Sequence, residues 1–166
     1  MRIKTGKFYD GTLDAPRTNV IVTLNESKIA AVEPAGEGAK ADREAAAIVP
    51  GLINAHAHLE MGGEPQTLMV FVVRNEEQRL LACLANAQKA LRSGVTALRD
   101  LGSSAHNNVE TRNAIRAGQL EGPTVVAAGK AICMTGGHGW WFDSRQADGP
   151  WDVRKAVREQ LKAGAD

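Results

Sequence analysis

The hydrophobic and polar positions of the chain follow one pattern up to Ile48 and another beyond it. Before Ile48, the runs NVIVTL (19–24) and KIAAV (28–32) are short, apolar and rich in β-branched residues, which favours strands. Residues 25–27 between them predict a hairpin turn, and residues 34–47, rich in Gly, Ala and charge, predict a loop. Residues 1–50 are therefore expected to form a small all-β element.

Beyond Ile48, predicted strands alternate with predicted helices. Apolar residues recur three and four positions apart in the segments assigned to helices, while the strand segments are short and apolar. This alternation predicts βα units that build a parallel sheet. The predicted helices are 76–92, 109–117 and 150–163, the strands after the first are 95–100 and 124–129, and a Gly-rich loop covers 134–149.

Two of these helices have a defined apolar face in the sequence. Such a face normally packs on the sheet of an α/β protein. We expect the following side chains to be buried: Leu80, Leu81, Leu84, Ala87 and Leu91 on the first helix, and Trp151, Val153, Val157 and Leu161 on the third.

Composition and charge narrow the classes of function. The formal net charge is +1 and aromatic residues make up 4% of the chain, so nothing favours a nucleic-acid or membrane-surface partner. The sequence contains no apolar run long enough to span a membrane and no secretory signal, so a cytoplasmic location is expected. Cys83 and Cys133 lie far apart and are expected to be plain buried thiols.

The strongest candidate for chemistry is a pair of histidines, His56 and His58. Residues i and i+2 of a strand project from the same face, so two imidazoles at a strand end can hold one metal ion. Zinc suits imidazole nitrogen, and it lowers the pKa of its bound water to about 7. The alternative is a pair of surface histidines in a turn, but their place after the apolar run that follows Pro50-Gly51 favours the metal.

The segment PGLINAHAHLE (50–60) resembles the first barrel strand of the amidohydrolase superfamily, with Asn54 where many members have Asp. Three later segments resemble one branch of that superfamily in the same order. This branch contains Xaa-Pro and Xaa-Arg dipeptidase-like enzymes and relatives of imidazolonepropionase. The segments are SGVTALRDLG (93–102), GPTVVAAGKAICMTGGHG (122–139) and DGPWDVRKAVREQLKAGAD (148–166).

The resemblance implies an α/β fold: a metal-bearing (β/α)8 TIM barrel with a small β-sandwich. Residues 1–50 would be the N-terminal part of the sandwich, and residues 51–166 about the first three βα units of the barrel. In the family, a carboxylated lysine, two more histidines and an aspartate complete a site for one or two divalent ions such as Zn²⁺. None of these can be assigned in this chain, so we expect the chain by itself to be an inactive N-terminal fragment.

Other residues have weaker claims. His138, in TGGHGWWFD, is a candidate for catalysis or substrate binding because loops at the carboxyl ends of barrel strands face the active site. His106 and Trp140 are further substrate-binding candidates, each with a purely structural alternative. Glu60 is either the orienting partner of a histidine or an exposed carboxylate. Arg99 and Asp100, which end a predicted strand, favour an ion pair or a cap.

These observations favour hydrolysis of a C–N bond, in an amide, a peptide or a cyclic amide, by metal-activated water. The expected substrate is a small molecule or a dipeptide-like compound. One alternative is a non-catalytic metal-binding or assembly fragment, and another is a ring deaminase of the same superfamily. Because a partial barrel leaves an unpaired strand edge and uncovered apolar surface, self-association is also expected.

Overall fold

The computed structural model describes residues 1–12 and 15–166. The chain divides into two compact units, Met1–Pro50 and Gly51–Asp166.

The first unit contains one four-stranded sheet in the order β3-β2-β1-β4. Strand β2 is antiparallel to both β1 and β3, whereas β1 and β4 are parallel. Phe8, Val20 and Val22 form its buried cluster. The two strands predicted from their β-branched runs are confirmed, as is the turn between them, in which Glu26 has φ 52°. The strands are β1 (Arg2–Phe8), β2 (Arg17–Asn25), β3 (Lys28–Pro34) and β4 (Arg43–Ile48).

The loop predicted over residues 34–47 is wrong for its second half, which forms most of β4. This segment, REAAAI, has only one β-branched residue, Ile48, and four of its six residues are exposed. It is a strand because its backbone pairs with β1, from Ile3 opposite Arg43 to Phe8 opposite Ile48. A pairing between distant segments leaves no local pattern in the sequence.

The second unit contains a parallel three-stranded sheet in the order β5-β6-β7. The alternation of strands and helices and the parallel sheet are therefore confirmed. The second predicted helix begins two residues earlier than expected. The elements are β5 (Leu52–Ala57), α1 (Thr67–Val73), α2 (Glu76–Arg92), β6 (Val95–Asp100), α3 (Asn107–Arg116), β7 (Thr124–Ala127), β8 (Ala131–Cys133), β9 (Ser144–Gln146) and α4 (Gly149–Lys162).

The core of this unit lies between the sheet and helices α2 and α3. Leu98 and Val125 from the sheet meet Cys83 from α2 and Val109 from α3 in one buried cluster. Cys83 is a buried thiol, as expected, whereas Cys133 is only half-buried. Burial together with the nearby carboxylates raises the pKa of Cys83. Helix α2 begins at a reciprocal cap between Asn75 and Gln78, which satisfies two otherwise free backbone N–H groups.

The predicted apolar faces of α2 and α4 are partly wrong. On α2 the buried residues are Cys83 and Ala87, whereas Leu81 is 64% exposed. Helix α4 buries Ala156 and Gln160 instead of the expected stripe. On both helices the buried residues are small or polar. Which side of a helix is buried depends on how the helix lies on its neighbours. The expected residues of α4 that remain exposed are Trp151, Val153, Val157 and Leu161.

Two features of this unit have no counterpart in the sequence prediction. Helix α1 lies in the connection from β5 to α2, and Phe71 is its buried residue. The predicted Gly-rich loop contains β9, which pairs in parallel with β8. Strands of three residues and a helix of seven are too short to show a reliable period.

Several apolar side chains of the second unit are exposed, among them Ile53 at 76% and Val126 at 44%. Ile53 lies on β5 and Val126 on β7. The expected self-association stays a prediction. Within the described part of the chain, no helix is both long and apolar enough to cross a membrane.

Asp166 connects α3 to the sheet. Its carboxylate accepts hydrogen bonds from Arg112 (2.7 Å) and Arg116 (3.1 Å) and from the Ala127 N–H (2.9 Å). Burial alone would raise the pKa of Asp166, but these hydrogen bonds outweigh it and lower the pKa to about 2.

We expect Asp166→Asn to reduce the stability of the second unit at neutral pH and to have less effect in acid. The contribution of a carboxylate with a lowered pKa is complete above its ordinary pKa, near 3.8, and is lost as the pH falls towards 2. All three tryptophans belong to this unit, so urea unfolding followed by tryptophan fluorescence measures the effect. A stability difference that stays constant from neutral pH to pH about 2 would contradict this assignment.

Candidate functional site

His56 and His58 lie at the carboxyl end of β5. His56 is within the strand and exposed, and half-buried His58 follows the last strand residue, Ala57. Their ring centroids are 5.4 Å apart and the ring planes are tilted by 60°. The Asn54 side chain, on the same strand, accepts a hydrogen bond from the His56 backbone N–H at 3.1 Å. The two imidazoles are therefore neighbours at one end of the parallel sheet.

The ring of His58 has a defined partner. Its Nδ1 lies 3.2 Å from the Gly102 carbonyl oxygen, in the segment that follows β6. A carbonyl oxygen only accepts, so Nδ1 must carry the proton and Nε2 is left as the nitrogen that can bind a cation. Histidines that bind metals normally have their second ring nitrogen held in this way. The geometry of His58 therefore fits a divalent metal ligand.

Asp100, the last residue of β6, connects the ends of two neighbouring strands. Its carboxylate accepts hydrogen bonds from the Leu59 N–H (2.6 Å), the Gly102 N–H (3.1 Å) and the Asn108 amide (2.8 Å). Burial raises the pKa of Asp100, while these three hydrogen bonds act in the opposite direction. Asp100 thus has a structural role at the strand ends, whereas Arg99 donates to the Ala55 carbonyl oxygen at 2.9 Å.

Glu60 is neither of the two things expected of it. It is buried, at 2% exposure, so the prediction of an exposed carboxylate is wrong. Its carboxylate accepts from Ser103 and Ser104 and from the Asn107 amide, at 2.7–3.0 Å, and these described partners do not include a histidine. Glu60 therefore holds the connection between β6 and α3, the same connection that carries Gly102.

His138 lies in the segment between β8 and β9, and its side chain is exposed. Trp140 and Trp141 in the same segment are about half exposed. Phe142 anchors the segment, with its ring 5.3 Å from Phe71 of α1 and 4.6 Å from Trp141. The catalytic role of His138 and the substrate-binding roles of His138 and Trp140 stay predictions.

His106 lies just before α3 with φ 61° and bonds to a different helix. Its Nε2 is 3.0 Å from Oε1 of Gln160 on α4, and the same oxygen accepts from the Lys130 N–H at 2.9 Å. This contact connects α3 to α4, which is a structural role. Substrate binding by His106 stays a prediction.

Sequence reasoning missed Asp143. This residue is 4% exposed, and its Oδ2 lies 3.8 Å from His58 Nδ1. The only available signal was that Asp143 is the one acidic residue in the stretch 134–147. Its approach to His58 depends on how that stretch folds back over the sheet, which no spacing in the sequence reveals.

A metal ion at this position would have two histidine ligands. Among residues 1–12 and 15–166, no group of three or more His, Cys, Asp or Glu side chains is arranged to hold a metal ion. Two neighbouring imidazoles with one oriented Nε2 fit part of a coordination shell, and a catalytic zinc normally takes three protein ligands.

The sequence profile of the amidohydrolase family matches residues 47–166. This match covers more than half of the chain, so the chain belongs to the amidohydrolase family. The family consists of hydrolases whose members typically bind divalent metal ions. A search of curated proteins finds no match.

Several solved structures of hydrolases have a similar fold. An Xaa-Pro dipeptidase with methionine bound in its active site is 25% identical, with a TM-score of 0.79, over 99% of this chain and 45% of its own. The A. niger ochratoxinase is 24% identical, with a TM-score of 0.77, over 99% and 44%. Molinate hydrolase is 26% identical, with a TM-score of 0.65, over 80% and 30%. The chain thus spans less than half the length of these proteins.

We expect Asp100→Asn to destabilise the second unit by about 1–3 kcal/mol, the cost of leaving a buried donor without a partner. An asparagine can accept on one side only, so its NH2 group would face either the Leu59 N–H or the donors from Gly102 and Asn108. Urea unfolding followed by tryptophan fluorescence measures the loss. Asp152→Asn, which removes an exposed carboxylate paired with Arg145, is the control and should have a much smaller effect. Equal stabilities of Asp100→Asn and the unmodified chain would refute the role of Asp100.

Proposed function

We propose that His56 and His58 bind a divalent metal ion, preferably zinc, in an amidohydrolase that cleaves a C–N bond with water. The observation that carries this proposal is the hydrogen bond from His58 Nδ1 to Gly102, which leaves Nε2 for a cation. The family match supports the class of reaction. The parallel β5-β6-β7 sheet with its helices supports the first part of a (β/α)8 barrel.

In this proposal the chain's own residues set the geometry of one side of the site. A divalent ion, when bound, supplies Lewis acidity that polarises the scissile carbonyl and makes a water molecule easier to deprotonate. Asp100 and Glu60 hold the segment around Gly102, and this segment keeps the ring of His58 in one tautomer and one orientation. His58 therefore needs little rearrangement to act as a ligand.

A dipeptide-like substrate is the class we favour. One of the structurally similar proteins is an Xaa-Pro dipeptidase with an amino acid in its active site. In the segment that follows β8, exposed His138 offers a hydrogen-bond donor or acceptor, and half-exposed Trp140 offers an apolar wall. These are the two kinds of group that recognise the carbonyl and the side chain of a small peptide.

A second candidate function, metal binding without catalysis, is favoured by the ligand count. The described residues hold a pair of histidines and no group of three or more potential ligands. We propose that the 166 residues alone bind an ion with modest affinity and do not turn over substrate. Catalysis would then require the further segments that the longer relatives possess.

We expect the chain to bind zinc through His56 and His58. In an isothermal titration, the double variant His56→Ala, His58→Ala should lose the binding seen with the unmodified chain, because both imidazole ligands are gone. The matched control is the double variant His106→Ala, His138→Ala, which removes the other two histidines and should bind as the unmodified chain does. If the His56 and His58 variant retains full binding, the metal assignment is wrong.

We also expect no hydrolysis by the 166-residue chain supplied with zinc, using Xaa-Pro dipeptides, Xaa-Arg dipeptides and acylated amino acids as substrates. The physical reason is that the two histidines, with no larger group of potential ligands among the described residues, do not hold the ion firmly. A longer protein that contains this chain and segments corresponding to those of the longer relatives should hydrolyse at least one of them. Turnover by the 166 residues that His58→Ala abolishes would contradict this expectation.

A further inference from the structure

The carboxylate of Asp143 is buried beside His58, although the two residues are far apart in the sequence. Its Oδ1 accepts a hydrogen bond from the Ser144 hydroxyl at 3.0 Å. Its Oδ2 lies 3.8 Å from His58 Nδ1, the ring nitrogen that also faces the Gly102 carbonyl oxygen at 3.2 Å. The His58 N–H therefore has a backbone oxygen as its hydrogen-bond partner and a carboxylate charge beside it.

Two glycines make room for this carboxylate. Gly139 has φ 71°, and a Cβ added there would lie 2.1 Å from Asp143 Oδ1. A Cβ added to Gly102 would lie 3.1 Å from Asp143 Oδ2. Because any larger side chain at Gly139 would collide with the carboxylate, the backbone on both sides is shaped to admit Asp143 to this position.

The backbone around Asp143 is also held in place. The N–H groups of Phe142, Asp143 and Ser144 all point to the Gly139 carbonyl oxygen, at 3.0–3.2 Å. The ring of Phe142 packs against Phe71 of α1. Asp143 thus approaches His58 from a tight turn with little freedom to swing away.

Asp100 is also buried near His58, but its oxygens already accept from Leu59, Gly102 and Asn108. Asp143 Oδ2, in contrast, faces the His58 ring. A carboxylate behind a histidine raises the electron density of the ring and favours the positive charge that the ring gains when its other nitrogen binds a cation.

We infer that Asp143 is a positioning residue whose negative charge, held beside the His58 Nδ1–H that bonds to the Gly102 carbonyl oxygen, strengthens cation binding by His58. This inference rests on the proposed metal role of His58. It also gives the segment that carries His138 a direct connection to the metal-binding histidine, since Asp143 belongs to that segment.

Zinc titration of the 166-residue chain tests the inference. Asp143→Asn keeps the size of the side chain and removes its charge, and it should weaken zinc binding by about 10–100-fold, the usual effect of losing such a partner. Asp148→Asn is the matched control. Its carboxylate also belongs to the connection between β8 and α4, where it accepts from Thr135, and this variant should bind zinc as the unmodified chain does.

NMR of the unmodified chain gives a second readout that does not depend on how the variants fold. With 13C-labelled aspartate and 15N-labelled histidine, the Asp143 carboxyl resonance and the His58 Nδ1–H resonance should both shift when zinc is added. An Asp143 resonance that zinc leaves unmoved overturns the inference, as does equal zinc affinity of Asp143→Asn and the unmodified chain, or an equal loss in Asp148→Asn. Failure of the metal proposal is distinct, because the unmodified chain would then bind zinc no better than the His56→Ala, His58→Ala variant, and this outcome overturns both.

Discussion

Asp100 accepts two backbone N–H groups, one from Leu59 after β5 and one from Gly102 after β6, and the arrangement of the site depends on these contacts. The last backbone pair of the two parallel strands is Ala57 with Asp100. Beyond this pair, the side chain of Asp100 joins the two segments that follow the strands. With Leu59 and Gly102 held to one carboxylate, His58 lies opposite the carbonyl oxygen that its ring requires. The orientation of the imidazole is thus a consequence of how the strand ends are joined.

The carboxyl end of this sheet is polar although it is buried. Glu60, Asp100, Ser103, Asn107 and Asn108 are all less than 5% exposed. Groups of this kind are stable in a protein interior only when their hydrogen bonds are satisfied, and here the carboxylates of Glu60 and Asp100 accept from the hydroxyl and amide side chains around them. Such a network resists rearrangement, because moving one member leaves several others without partners. A rigid support is what a metal-binding side chain needs if it is to be oriented before the ion arrives.

The same unit has this rigid support on one side of His58 and exposed apolar residues elsewhere. The strand ends, the connection from β6 to α3 and the segment around Asp143 are tightly joined on one side of His58, while Ile53 on β5 and the apolar stripe of α4 are exposed. The chain spans less than half the length of the amidohydrolases it resembles, and the described residues contain a pair of histidines and no larger ligand group. The rigid support therefore covers one side of His58 only.

Local patterns in the sequence determined the elements whose periodicity is strong. Helix α2 and strand β6 have the bounds predicted from apolar spacing, and the β-branched runs lie within β2 and β3. The spacing of His56 and His58 was sufficient to predict that their rings are neighbours. Residues two apart in a strand point to the same face whatever the rest of the fold.

Only the tertiary structure decided the features that depend on contacts between distant segments. Strand β4 forms because it pairs with β1. Glu60 is buried because donors in the β6–α3 connection bond to its carboxylate. Asp143 approaches His58 because the chain turns at Gly139. The exposed stripe of α4 was mispredicted for the same reason. A period shows which face of a helix is apolar, but the surface against which that helix packs is set by the rest of the fold.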